Sequence, residues 1–104
     1  GENKTETVPT ITTALPSQIT TTTAVVGGNV TSDGGASVTE CGVCYSTSAN
    51  PTTANTKITS GSGLGTFIYS LTDLQDGVTY YARAYAINCT GIYYSGNEVV
   101  FTTK

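Results

Sequence analysis

The chain has no histidine, no methionine and no tryptophan, and only 11% of its 104 residues are charged. Without an imidazole, a Ser, Thr or Cys nucleophile lacks its usual proton acceptor. Lys57 and Lys104 are the remaining bases near folded sequence, and neither stands in a Ser-x-x-Lys arrangement. Three cysteines with no histidine also fall short of a tetrahedral zinc set. The four basic residues, Lys4, Lys57, Arg83 and Lys104, are scattered through a chain of net charge −3. No basic stripe exists to displace counterions from a phosphate backbone, so nucleic acid is not an expected partner. No apolar run approaches the roughly 18 residues of a membrane span, and the N-terminus has no signal-peptide core. Enzymatic activity, cofactors and a membrane span are therefore not expected. Any export signal or lipid-attachment cysteine is expected upstream of Gly1.

What the chain has instead is Thr, about a fifth of all residues, together with Ser, Asn and 12 Gly. Thr is β-branched and suits a pleated, half-wet surface, while the scarcity of Lys and Glu leaves little for solvated helix faces. An all-β domain follows, and 104 residues suffice for one core without metals or many disulfides. Residues 1–7 are polar without periodicity and read as a flexible arm, which leaves 8–104 for the folded domain. Strands are predicted over 8–15, between Pro9 and Pro16, then over 19–31, 38–47, 56–60, 66–71, 78–88 and 97–103. Residues 38–47 are apolar on both faces, as a strand central to its sheet would be. The stretch 89–96 reads as a loop or tight hairpin. Gly61-Ser-Gly-Leu-Gly65 precedes strand-like sequence rather than a helix, so it is a hairpin turn and not a phosphate loop. Seven short strands with turns every eight to twelve residues are the spacing of an antiparallel immunoglobulin-like β-sandwich.

The segment from Leu74 to Ala86 sharpens this. Leu74 precedes Tyr80 by six residues, and an Asp76-Gly77 turn leads into a strand with Tyr80, Ala82, Ala84 and Ala86 on one face. This is the layout of a tyrosine corner. With it come Gly28-Asn-Val-Thr-Ser-Asp-Gly-Gly35, Gly42-Val-Cys-Tyr-Ser-Thr-Ser48, Asn50-Pro-Thr52, Thr79-Tyr-Tyr-Ala-Arg-Ala-Tyr-Ala86 and Gly96-Asn-Glu98 before Phe101-Thr-Thr103. In these stretches the chain resembles the fibronectin type III-like modules of secreted and surface-attached bacterial proteins. The resemblance implies an extracellular or cell-surface location, secreted or lipid-anchored, for a non-enzymatic spacer or interaction module. It is specific to fold and not to task.

Cys41 and Cys89 depart from that resemblance, in which only a residue like Cys44 is usual. A Cys41–Cys89 bridge would close a loop of about 47 residues, worth on the order of 3–4 kcal/mol in an exported protein. The usual register puts Cys41 nearest Ala86, and three residues of strand span near 10 Å, too far without a bulge. Three reduced thiols are the competing expectation. Asp73 and Asp76 lie in a turn, where Asp bonds its own backbone; weak calcium binding there stays open. If Tyr80 faces the core, Tyr81, Arg83, Tyr85 and Ile87 face outward, with Ile92, Tyr93 and Tyr94 beyond them. Such a cluster either covers neighbouring strands or, with the Asp33 loop at the same end, forms a surface for a glycan or another surface protein. Self-association through a sheet edge is a third role; a monomer is expected.

Overall fold

The computed structural model describes residues 6–95 and 97–104. It contains eight strands: β1 (Thr10–Thr13), β2 (Ala24–Ser32), β3 (Glu40–Ser46), β4 (Thr56–Gly61), β5 (Gly65–Leu71), β6 (Thr79–Asn88), β7 (Gly91–Tyr94) and β8 (Val99–Thr102). One sheet has the order β1-β2-β5; the other runs β4-β3-β6-β7, with β8 also paired to β6. Every pairing is antiparallel. The alternation that predicted β6 holds: Tyr80, Ala82, Ala84 and Ala86 are buried between the sheets.

The core is filled in two lobes. One gathers Val26, Val43, Leu71, Leu74, Tyr80, Ala82, Val99 and Phe101; the other Ile11, Val30, Val38, Cys41, Ala84 and Ala86. Phe67 packs against both. Its register partner is Gly28, where a Cβ would stand 2.9 Å from that of Ala84 and 2.8 Å from the Thr12 carbonyl. The sheets approach too closely there for any side chain. Burial of these apolar groups supplies the driving force, at roughly 25 cal/mol per Å2.

The sequence and the structure differ in three places. Residues 19–23, expected in the second strand, instead form a turn in which the Thr20 hydroxyl accepts from the N–H groups of Thr22 and Thr23. A Thr that caps its own turn withdraws the backbone from the ladder. The stretch expected as a loop over 89–96 contains β7, paired with β6 from Tyr85↔Tyr94 to Asn88↔Gly91. β7 and β8 flank the same edge of β6, where only one strand, over 97–103, was expected. Of the arm expected over 1–7, residues 1–5 lie outside the described residues. Thr7 does not belong to an arm: its N–H donates to the Gly34 carbonyl at 2.9 Å, and Asn88 Nδ2 donates to the Thr7 carbonyl at 2.7 Å.

The break between β7 and β8 is filled from the other sheet. The Asn97 carboxamide accepts from the Thr13 N–H at 2.9 Å and donates to the Thr13 carbonyl at 2.7 Å. The Thr13 hydroxyl in turn accepts from the Ala84 N–H at 2.9 Å, beside the interruption. A backbone donor without a strand partner is thus satisfied by a buried hydroxyl.

Candidate functional site

Outward parity on β6 brings Tyr81, Arg83, Tyr85 and Ile87 to the outer face of the larger sheet, as expected, but not to solvent. Tyr85 is 0% exposed. Its hydroxyl donates to Glu40 Oε2 at 2.6 Å and bonds the Thr59 hydroxyl at 3.2 Å. Lys57 Nζ lies 3.0 Å from the same carboxylate oxygen, the one ion pair among the described residues, and 6.0 Å from the Tyr85 ring centroid. Glu40, Lys57 and Thr59 come from β3 and β4, all on the outward parity, and close over the ring. The Tyr85 hydrogen bond, then Lys57, holds the Glu40 carboxyl below the usual carboxylate range. Burial, then Glu40, pushes the Tyr85 phenol well above its ordinary value. The expectation that Tyr85 belongs to an exposed binding surface is therefore corrected.

The next outward position is covered by a loop. Cys44 pairs with Arg83, faces outward and is 0% exposed, because Pro51 folds down on it. The Cys44 thiol donates to the Pro51 and Arg83 carbonyls, each at 3.4 Å, and Arg83 Nε donates to the Pro51 carbonyl at 2.6 Å. The guanidinium carbon lies 4.4 Å from the Tyr94 ring centroid, a cation–π stack. The Tyr94 hydroxyl accepts from the Thr53 N–H at 3.0 Å, and the Glu98 carboxylate accepts from the Asn50 N–H. The loop between β3 and β4 is thereby pinned across the sheet like a third layer. Tyr94, also expected to bind, is spent on this loop.

The remaining expected residues have structural partners of their own or are half-buried. Asp33 Oδ1 accepts from the Gly35 N–H at 2.8 Å, and its carbonyl accepts from Asn88 Nδ2 at 2.8 Å. It builds its turn. Tyr93 packs against the core lobe of Cys41, and Tyr81 and Ile92 are half-buried. Tyr80 is buried, stacks on Phe101 with centroids 5.6 Å apart, and accepts from the Gln75 N–H at 2.8 Å. Leu74, beside it, is 5% exposed. Thr103 braces the same turn: its hydroxyl donates to the Gln75 carbonyl at 2.6 Å and accepts from the Val78 N–H at 3.0 Å.

Cys41, Cys44 and Cys89 are all free. Cys41 faces the core opposite Ala86, whereas Cys89 is exposed beyond the end of β6. That register separates the two thiols proposed for a bridge. Burial pushes the Cys41 and Cys44 thiols up. Among the described residues no cluster of acidic, Cys or His side chains could hold a metal ion, and no buried polar side-chain atom lacks a partner.

One concavity was not foreseen. It is an open cleft of about 500 Å3 lined by Tyr45, Ser46, Thr47, Ala54, Asn55, Thr56 and Tyr80. Tyr45 is half-buried with its ring edge-on to Tyr80, centroids 6.1 Å apart. Burial, then Tyr80, Asp73 and Tyr69, pushes its phenol up. No charged residue lines the cleft. The sequence signal was the tyrosine in the apolar run 43–45, assigned wholly to packing.

No protein-family model matches the chain, and no curated protein does. Solved structures do. The chain is 20% identical to the sensor domain of the anti-sigma factor RsgI4 of Pseudobacteroides cellulosolvens, covering 93% of this chain and 95% of that one, TM-score 0.65. A fourth fibronectin type III domain from human is 20% identical over 97% of this chain and 80% of that one, TM-score 0.64. Titin domains A168–A170 match at 22% identity and TM-score 0.61; the match covers 96% of this chain but only 32% of the titin chain. Eight antiparallel strands in two packed sheets, with a tyrosine buried at the corner before β6, have a fibronectin type III-like fold.

Proposed function

We propose that the chain is a non-enzymatic spacer or interaction module of an exported bacterial cell-surface protein. The observation that carries this is where the ends of the sandwich hold the chain. Thr7 is bonded to Gly34 and Asn88 at the turn after β2, and Thr103 to Gln75 and Val78 at the opposite end. A polypeptide that enters at one end and leaves at the other extends a string of modules lengthwise. The acids and bases on the outer face of the larger sheet, Glu40, Lys57, Tyr85 and Arg83, are bonded to one another or to the backbone. Likeness in fold to a bacterial sensor domain supports a role outside catalysis.

The test is solution scattering from two copies joined in tandem. Extension is expected, with the maximum dimension growing by roughly 30 Å, about the length of a ten-residue strand. A side-by-side compact particle would overturn the spacer role.

A glycan-binding role is favoured by one observation, the uncharged cleft. Tyr rings edged by hydroxyls and an amide suit a neutral polyhydroxylated ligand. The site lies at Tyr45 and Asn55 rather than at the loops around Asp33 and Tyr93. In an NMR titration with neutral oligosaccharides, shifts at Tyr45, Asn55 and Thr56 support it. Shifts at the Asp33 and Tyr93 loops instead would return the site to those loops.

A further inference from the structure

Each sheet has two edges, and three of the four are blunted. β1 has four residues between Pro9 and Pro16, and its outward N–H and C=O at Thr13 are occupied by Asn97. β4 carries Lys57, and its register slips between Cys41 and Gly42. β7 and β8 are short and separated by an interruption. These are the ordinary devices against edge-to-edge pairing. β5 has none of them.

β5 reads Gly-Thr-Phe-Ile-Tyr-Ser-Leu, with no charge and no proline, and holds seven successive pairs with β2 without a slip. Ile68 is 74% exposed, because its register partner Gly27 has no side chain to lay beside it. Tyr69, on the inward parity, is still 40% exposed, and Leu64 in the preceding turn is 62% exposed. An apolar, uncharged strand with an open backbone edge is a pairing template.

We propose that this edge pairs with the β5 edge of a second copy of the chain, antiparallel and two-fold symmetric about Ile68. The strand is self-complementary in that register. Ile68 meets Ile68 and Thr66 meets Ser70 on the outer face; Phe67 meets Tyr69 twice on the inner one. Aromatic and β-branched cross-strand pairs of this kind stabilise a sheet, and no like charges are brought together although each copy carries −3. The result is a closed dimer with a continuous six-stranded sheet, β1-β2-β5 followed by its mirror order. Seven residues a side fall short of the roughly 800 Å2 per partner of a stable interface, so the contact forms with rising concentration, with a Kd roughly between 10 µM and 1 mM. It replaces the expected monomer only where copies are crowded.

Sedimentation equilibrium from roughly 10 µM to 1 mM, in reductant so that Cys89 cannot bridge copies, tests it. The mean mass is expected to climb toward two copies. Ile68→Lys, an exposed position, keeps the fold, checked by its unfolding transition, and is expected to abolish the rise. NMR shifts on dilution should centre on residues 65–71. A constant mass throughout, an undiminished rise in Ile68→Lys, growth beyond two copies, or shifts centred elsewhere would each overturn the proposal.

Discussion

The two outer faces of the sandwich are built on opposite principles. On the larger sheet, Tyr85 and Cys44 point away from the core yet are 0% exposed, sealed by Glu40, Lys57 and Thr59 and by the Pro51 loop. On the smaller sheet, Ile68 points away from the core and is 74% exposed, with nothing laid over it. Outward parity therefore does not decide exposure; what the neighbouring strands and connections lay over the position does. The β3–β4 connection is long enough to fold back, and Arg83 and Tyr94 give it something to hold. The β4–β5 turn is tight, with Gly63 in the left-handed region, and its Gly63 N–H donates to the Val38 carbonyl at 3.1 Å rather than reaching over the outer face of β5.

The sharpest way to break the comparison is to truncate one residue on each face. Tyr85→Ala should cost about 3–5 kcal/mol in urea unfolding, as for a buried aromatic. Ile68→Ala should cost less than about 0.5 kcal/mol, as for an exposed site. Equal effects would erase the distinction. Next, Tyr85→Phe keeps the ring and removes the hydroxyl, at about 1 kcal/mol, and returns Glu40 toward the usual carboxylate range in an NMR titration. Tyr94→Phe should leave global stability within about 1 kcal/mol while hydrogen exchange at the Thr53 amide speeds up, because that N–H loses its acceptor.

The smallest effects are in pH. Glu40 is held below its ordinary range, so its contribution is present above that range and lost as pH falls through the folded value. Acid unfolding of Glu40→Gln should lack this component. Tyr85 is raised, so its contribution is present below the ordinary phenol range and lost as pH rises through the folded value. Alkaline unfolding of Tyr85→Phe should lack it.

Much of the fold was legible because it rests on local signals. Alternation marked β6, Asp76-Gly77 and Gly61–Gly65 marked turns, and Leu74 with Tyr80 marked the corner. The strand β7 inside the expected loop over 89–96 was not legible, nor was the break after it, which is filled by Asn97 reaching Thr13, 84 residues away. The candidate site was misread for a related reason. The face of Tyr81 and Tyr85 was correctly oriented, but what covers it comes from β3, β4 and their connection. Pro51 marked a loop without saying where the loop would lie. That the cover of Cys44 comes from outside the sheet was not legible either.

Cys44 is consequently the best reporter of the covered face. Titration of thiols in the reduced native protein should find one reactive group, Cys89, with Cys41 shielded by the core and Cys44 by the Pro51 loop. Denaturant should release all three. Prompt reaction of Cys44 in the native state, mapped by mass spectrometry, would show the face to be open and contradict the account.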